Sequence, residues 1–281
     1  MALVLDEQTK GRECISTIDK PPLNEHSKLG KVFLVGAGPG DPELITLKGL
    51  RCLRQADVVV YDRLISAELL DEVPAYAERV FVGKASGHHI LKQEEINALL
   101  ITFAKRGNLV VRLKGGDPCV FGRGGEEALE LAQAGIPFEI VPGISSAIAV
   151  PAYAGIPITS RGLSSSVTIV TGHEQSDSTS VNWEALAKVG GTLVILMGKE
   201  TLSRITLYLL DGGLNPATPA AVIEQGTLPQ QRVVTGTLEN IAQLARTARI
   251  QSPSLVVIGP VVALSESLAW YEALIPQLMN V

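Results

Sequence analysis

Two loops built from glycine and acid carry the chemistry of this chain: GAGPGDPEL at Gly36–Leu44 and KGGDPCVFGRGGEE at Lys114–Glu127. Both contain Gly-Asp-Pro, at Gly40-Asp41-Pro42 and Gly116-Asp117-Pro118. Glycine lets a backbone approach a ligand closely, and proline fixes the turn that follows. Arg63, Lys84, Arg112, Lys114, Arg123 and Arg161 all fall beside glycine or proline loops. Singly, each reads as an ordinary solvated charge. Jointly, they point to an anionic ligand in a crevice.

Other chemistries fit less well. Gly36-Ala37-Gly38 after a strand, with Asp62 ending the next one, has the outline of a dinucleotide site. The outline fails at Pro39, which stands where the turn needs a free N–H, and at Asp41, which brings negative charge to the supposed phosphate. His88, His89 and His173 lack metal-ligand spacing, so no metal is expected. Cys14, Cys52 and Cys119 form neither a disulfide framework nor a zinc pattern. Ser164–Ser166 has no His/Asp partner pattern for hydrolysis.

The elements that must hold the two loops alternate between strand and helix. Strands are predicted at 31–36, 57–61, 79–82, 108–113 and 137–141, and helices at 43–55, 93–106, 125–134 and 144–154. Leu44, Leu47, Leu50 and Leu53 share one face of the first helix. This order implies a mostly parallel sheet covered on both sides. GIPITSRGLSSS over 155–166 reads as a hinge. Beyond it, strands are predicted at 166–173, 192–196, 219–224, 231–235 and 254–258, and helices near 182–189, 200–210, 238–247 and 265–275. The hairpin-like Ala220–Gly236 makes this second sheet mixed. The division is thus a polar extension at 1–28, an α/β domain at 29–160 and a second at 161–281.

At 281 residues and 46% hydrophobic content, the chain can bury one large core or two modest ones. No apolar run reaches membrane-spanning length and no signal peptide is read, so a cytoplasmic protein without membrane contact is expected. A net charge of −5 argues against broad nucleic-acid binding.

Over residues 30–265 the chain resembles the tetrapyrrole methyltransferases. The matching segments are VGAGPGDPELITLKG, ADVVVYDRL, VFVGKASGHH, QEEIN, VVRLKGGDPCVFGRGGEE, VPGISSAIAVPAYAGIPITSRG, VTGH, LVILMG and SLVVIGPVVAL. Within the family it is similar to the enzymes that methylate uroporphyrinogen III on rings A and B, giving precorrin-1 and then precorrin-2. The resemblance implies the family's two-domain α/β fold, with S-adenosyl-L-methionine in a cleft between the sheets and S-adenosyl-L-homocysteine as product. It implies a homodimer serving sirohaem, cobalamin or haem d1 synthesis. The chain resembles the stand-alone form, without the dehydrogenase–chelatase module fused in some relatives. Its N-terminal extension is similar to that of the haem d1 type.

Carried over by position, the implied cofactor contacts are Pro39, Gly115, Gly116, Asp117, Val120, Ser145, Ser146, Met197 and Gly226. Ser145-Ser146 stands where the family commonly has Thr-Ala, and Cys119 where it usually has Phe. Attack on a sulfonium methyl yields a cationic product that must lose a proton, so a base is required near the ring. The resemblance gives Asp62 as proton acceptor and Lys84 as donor. It places Arg123 and Glu126 where the tetrapyrrole is bound or deprotonated. Arg63, Arg112, Lys114 and Arg161 would join Arg123 in binding substrate carboxylates. Plainer readings stand beside these. Asp62 also suits a turn carboxylate, Lys84 an exposed charge, Met197 a core side chain, and Glu126 and Glu127 the positive end of a helix dipole. A transferase for a later corrin precursor or for diphthine, or a cofactor-binding carrier without turnover, are the alternatives.

Overall fold

The computed structural model describes residues 29–83, 91–173 and 181–271. The extension expected at 1–28, Lys84, His88, His89, Cys14 and the end of the helix expected at 265–275 lie outside the described residues.

The first sheet contains β1 (Lys31–Gly36), β2 (Val58–Tyr61), β3 (Glu78–Phe81), β4 (Leu109–Lys114) and β5 (Phe138–Val141). Their order is β3-β2-β4-β1-β5, and every pairing is parallel. Strands covered on both faces read as continuous apolar runs, as VVVY of β2 does. Helices α1 (Leu47–Leu53) and α2 (Ala67–Asp71) cover the face of Val35, Val59, Val111 and Leu113. Helices α3 (Gln93–Lys105) and α4 (Gly124–Gln133) cover the face of Leu34, Val58, Val60 and Val110. Crossovers keep one hand, so a chain that reverses its direction across the sheet must change face. The steps from β1 to β2 to β3 run over one face, and the returns to β4 and β5 over the other. Adjacent β1 and β4 therefore send their following helices to opposite sides. A crevice opens between their C-terminal ends.

The helix expected at 43–55 is two pieces. Pro42–Leu44 is a single 3-10 turn capped by Asp41, whose Oδ1 accepts from Glu43 N at 2.9 Å. Ile45 is extended, and α1 then starts from Thr46, whose Oγ1 accepts from Gly49 N at 3.0 Å. Two caps five residues apart cannot sit in one helix. Leu47 is consequently exposed and not on the buried stripe.

The second sheet is mixed, in the order β6-β7-β10-β8-β9. It contains β6 (Val167–Thr171), β7 (Thr192–Leu196), β8 (Pro219–Glu224), β9 (Arg232–Thr237) and β10 (Ser254–Ile258), and only β6–β7 is parallel. One face packs on α6 (Trp183–Val189), α7 (Leu202–Asp211) and α8 (Ile241–Thr247). The other packs on α5 (Ser146–Tyr153): Ala147, Val150, Ala154 and Ile156 lie against Val194, Ala221, Ile223 and Val257. So α5, which precedes the hinge in sequence, covers the second sheet in space. The stretch after β10 forms a 3-10 turn at Pro260–Leu264, and no helix continues it as far as Tyr271.

Candidate active site at the paired glycine loops

The loops that follow β1 and β4 are stitched together by a two-way backbone bridge. Gly38 N donates to Gly116 O at 3.2 Å, and Gly116 N donates to Gly38 O at 2.6 Å. Gly143, after β5, closes the floor. A Cβ on Gly143 would lie 2.3 Å from Gly116 O, and one on Gly36 would lie 2.5 Å from Gly143 Cα. These two glycines are therefore demanded by packing. Gly116 differs: its φ is +69°, and a Cβ there would meet nothing nearer than Ser146 N at 3.8 Å. Its glycine keeps open a space at the crevice that a side chain would fill.

Asp117 holds this loop in shape. Its Oδ1 accepts from Cys119 N at 2.8 Å and Val120 N at 3.2 Å, while Oδ2 accepts from Gly143 N at 3.1 Å. Its carboxylate is thus engaged within the protein. Ser145 caps α5 by accepting from Ala147 N at 3.2 Å, and with Ser146 it borders the space at Gly116. A Cβ on Gly115 would touch Leu64 at 3.0 Å, which brings the turn after β2 against the second loop.

Pro39 and Gly40 lead into a junction with the second sheet. Asp41 N donates to Thr227 Oγ1 at 3.1 Å, and Tyr153 Oη donates to Asp41 Oδ2 at 2.8 Å. Burial, and then the Asp41 carboxylate it donates to, push the Tyr153 hydroxyl far above its ordinary pKa. Thr227 has a φ of +70° and is held by Gln231, whose Oε1 accepts from Thr227 N at 2.9 Å. Tyr271 Oη donates to Thr227 O at 3.1 Å. The rings of Tyr153, Trp270 and Tyr271 pack edge-on and tilted, with centroids 4.7–5.6 Å apart. Gly226 has its Cα against Val150, where a Cβ would come within 2.3 Å of Cγ1. Met197, just after β7, has a φ of +54° and is 51% exposed as a residue. The core reading of Met197 is overturned: the left-handed turn at the strand end carries the thioether out of the sheet.

Asp62 follows β2. Its Oδ1 accepts from Leu64 N at 3.0 Å, so the turn reading accounts for one oxygen. Oδ2 lies 3.9 Å from Arg112 Nη1, and the side chain is partly exposed. Arg112 and Lys114 do not face solvent. Both side chains are 6% exposed and converge on Oε1 of fully buried Glu127, at 3.2 Å and 2.9 Å. This corrects the expectation that they bind substrate carboxylates. They alternate on β4 with the same parity as buried Val110, so they point under α4.

Arg123 and Glu126 form an exposed pair, with Nε–Oε1 at 2.9 Å and Nη2–Oε2 at 2.6 Å. The Arg123 fork holds the Glu126 carboxyl below its usual range, and the bond to Glu126 raises the guanidinium in turn. Arg123 occupies the left-handed region at φ +59°, which turns the chain into α4. Arg63 and Arg161 are exposed, Arg161 in the turn closed by Ser160 and Ser164. A hollow of about 550 Å³ between the end of α5 and Glu266–Trp270 is lined by none of the residues expected at the site.

Gln93, Tyr153 and Thr227 are structural members of this region that the sequence does not single out, and Glu127 reads there only as a helix-dipole carboxylate. Glu127 had one available signal. It shares the α4 stripe Gly124, Glu127, Ala128, Leu131, a carboxylate within an otherwise apolar face.

The sequence model of the family Tetrapyrrole (Corrin/Porphyrin) Methylases matches residues 31–242. An S-adenosyl-L-methionine-dependent uroporphyrinogen III methyltransferase of Methanosarcina barkeri is 55% identical over 241 residues, 85% of this chain and 94% of that protein. A sirohaem synthase of Thiobacillus denitrificans is 50% identical over 242 residues, 86% of this chain but only 50% of that longer protein. The crystal structure of the uroporphyrin-III C-methyl transferase from Thermus thermophilus, complexed with S-adenyl homocysteine, superposes with a TM-score of 0.73 at 42% identity. That match covers 84% of this chain and 100% of the Thermus chain.

Proposed function

The chain belongs to the tetrapyrrole methylases, and from that membership we propose that it methylates uroporphyrinogen III with S-adenosyl-L-methionine. The two transfers fall on rings A and B, giving precorrin-2 by way of precorrin-1. The observation that carries this reading is the pair of bonded glycine loops at the point where α1 and α4 part to opposite faces.

The methyl donor fits the residues present. Gly116 leaves room for close backbone approach, and the N-terminus of α5 borders the same space. Pro39, Gly115, Gly116, Asp117 and Val120 line the donor from the first half, with Asp117 contributing backbone because its carboxylate is engaged. Ser145, Ser146, Gly226 and exposed Met197 line it from α5 and the second sheet. Bound S-adenosyl-L-methionine supplies an electrophilic methyl on a sulfonium. The protein's contribution to that step is to hold acceptor and donor in line.

Arg123 opens its fork from Glu126 to grip a carboxylate of the tetrapyrrole, which a planar guanidinium does in two parallel bonds. Arg63 and Arg161, both exposed, share that task. Asp62, through Oδ2, accepts the proton that leaves the alkylated ring, and Lys84 returns one. The likeness to sirohaem synthases supports sirohaem as one destination of precorrin-2, with cobalamin and haem d1 as further ones. We take the protein to work as a cytoplasmic homodimer.

Anaerobic incubation with S-adenosyl-L-methionine and enzymatically generated uroporphyrinogen III, read by mass spectrometry, tests the reading. Two added methyl masses on the macrocycle are expected. None, with donor still bound, would refute this acceptor.

A further inference from the structure

Under Asp62 lies a buried set of charges to which methyl transfer assigns no task. Glu127 Oε1 accepts from Lys114 Nζ, Arg112 Nε and, at 3.1 Å, Gln93 Nε2, which also donates to Asn97 Oδ1 at 3.0 Å. Glu127 Oε2 is buried and has no hydrogen-bond partner among the described residues. Arg112 is pinned from two further sides, with Nη1 donating to Val60 O at 3.4 Å and Leu113 O at 3.2 Å. Stability alone does not account for such a cluster, because packed apolar side chains of similar volume commonly do as well or better.

Among the described residues, the charged groups around Asp62 come from β4, α4 and its own turn. β4 supplies Arg112 and Lys114, α4 supplies Glu127, and Arg63 follows Asp62 in its own turn. From α3, the neutral amide of Gln93 meets Glu127 with Asn97 behind it, while Glu94 acts on Arg123. Arg112 and Lys114 balance Asp62 and Glu127 while all four are ionised, and exposed Arg63 stands outside this buried balance. Burial first, and Arg112 second, push the Lys114 ammonium below its ordinary pKa; Glu127 opposes both. Arg112 approaches Glu127 to 3.2 Å and Asp62 only to 3.9 Å. The guanidinium is committed to the buried acid.

We propose that Glu127 is a positioning residue for the reaction: by holding Arg112 and Lys114 beneath α4, it keeps Oδ2 of Asp62 out of a closed ion pair and available to take a proton. This rests on the reading of Asp62 as the proton acceptor. Without the Glu127 charge, the set carries an excess positive charge, and Arg112 turns to Asp62 as its remaining anion. An acceptor locked in that pair turns over slowly, while the donor site on the far side of the second loop is untouched.

The test compares wild type, Asp62→Asn, Glu127→Gln and the double variant Glu127→Gln/Arg112→Met. The readouts are kcat, KM for the tetrapyrrole, and calorimetric Kd for S-adenosylhomocysteine. Glu127→Gln is expected to lower kcat at least tenfold while changing KM and Kd less than threefold. Adding Arg112→Met restores charge parity, removes the cation that closes on Asp62 and should recover most of the lost kcat, whereas a purely structural role predicts that the two defects add. Should the single variant not fold, the neutral double carries the test, with turnover within about threefold of wild type expected. A folded Glu127→Gln at full kcat, or a folded double as slow as Asp62→Asn, overturns the proposal. Full turnover by Asp62→Asn removes Asp62 as acceptor, and this proposal with it.

Discussion

Replacing Gly116 by alanine separates the proposed donor cradle from the fold. At φ +69°, an L-residue carries a left-handed penalty of about 1–2 kcal/mol. No clash adds to it, since the new methyl would have Ser146 N at 3.8 Å and Ser145 Cα at 3.9 Å. A domain stable by about 5–15 kcal/mol survives that loss, and its melting temperature drops by roughly 2–4 °C per kcal/mol. The effect on catalysis is larger. The methyl occupies the space proposed for the donor, and a displacement of about 1 Å costs on the order of 100-fold in rate. That is roughly 2.7 kcal/mol of transition-state binding. Thermal unfolding, calorimetric titration with S-adenosylhomocysteine and initial rates on one preparation measure both parts. Gly143→Ala serves as the contrast. Its Cβ would stand 2.3 Å from Gly116 O, so it should fail in folding before it fails in binding. A Gly116→Ala protein with the expected lower melting temperature but unchanged affinity would show that the donor does not lie on this loop.

Arg123→Lys should lower kcat/KM at least tenfold and leave donor Kd unchanged, because a point charge cannot reproduce a two-bond fork; steady-state kinetics beside calorimetry checks it, and normal turnover would remove Arg123 from the substrate. Tyr153→Phe deletes the bond to Asp41, worth about 1.5–3 kcal/mol with a charged acceptor. Donor affinity should weaken and the urea midpoint fall together. A change in neither would make the junction between loop and second sheet idle.

The strands and the two glycine loops are legible because their signals are local: a β-branched run, then a residue type needed for close approach. The mixed second sheet is legible for the same reason, since the turn residues between β8 and β9 announce a hairpin. What escapes is decided by competition or by parity. The leucine stripe from Leu44 to Leu53 has helical spacing, yet the caps of Asp41 and Thr46 divide it. Helix α2, five residues long, is too short to show a period. Arg112 and Lys114 stand next to a glycine loop and look poised at a crevice; strand parity instead sends both under α4, where Glu127 waits thirteen residues from Lys114. Met197 misleads in the opposite direction, because an apolar residue ending an apolar strand gives no sign of a left-handed turn. Nothing in the sequence shows that Asp41 and Tyr153, 112 positions apart, are bonded.

Helix α5 gives the two halves a shared fate. It enters from the loop after β5, borders the space at Gly116 with its first residues, and ends in the tyrosine that grips Asp41. Its apolar side meanwhile shields Ala221, Ile223 and Val257 of the other sheet. A cut at 160/161 would strip the second sheet of its cover and leave the first glycine loop without its brace on that helix. The portable unit is therefore the whole two-sheet block. Such a block is exchanged whole and not by halves.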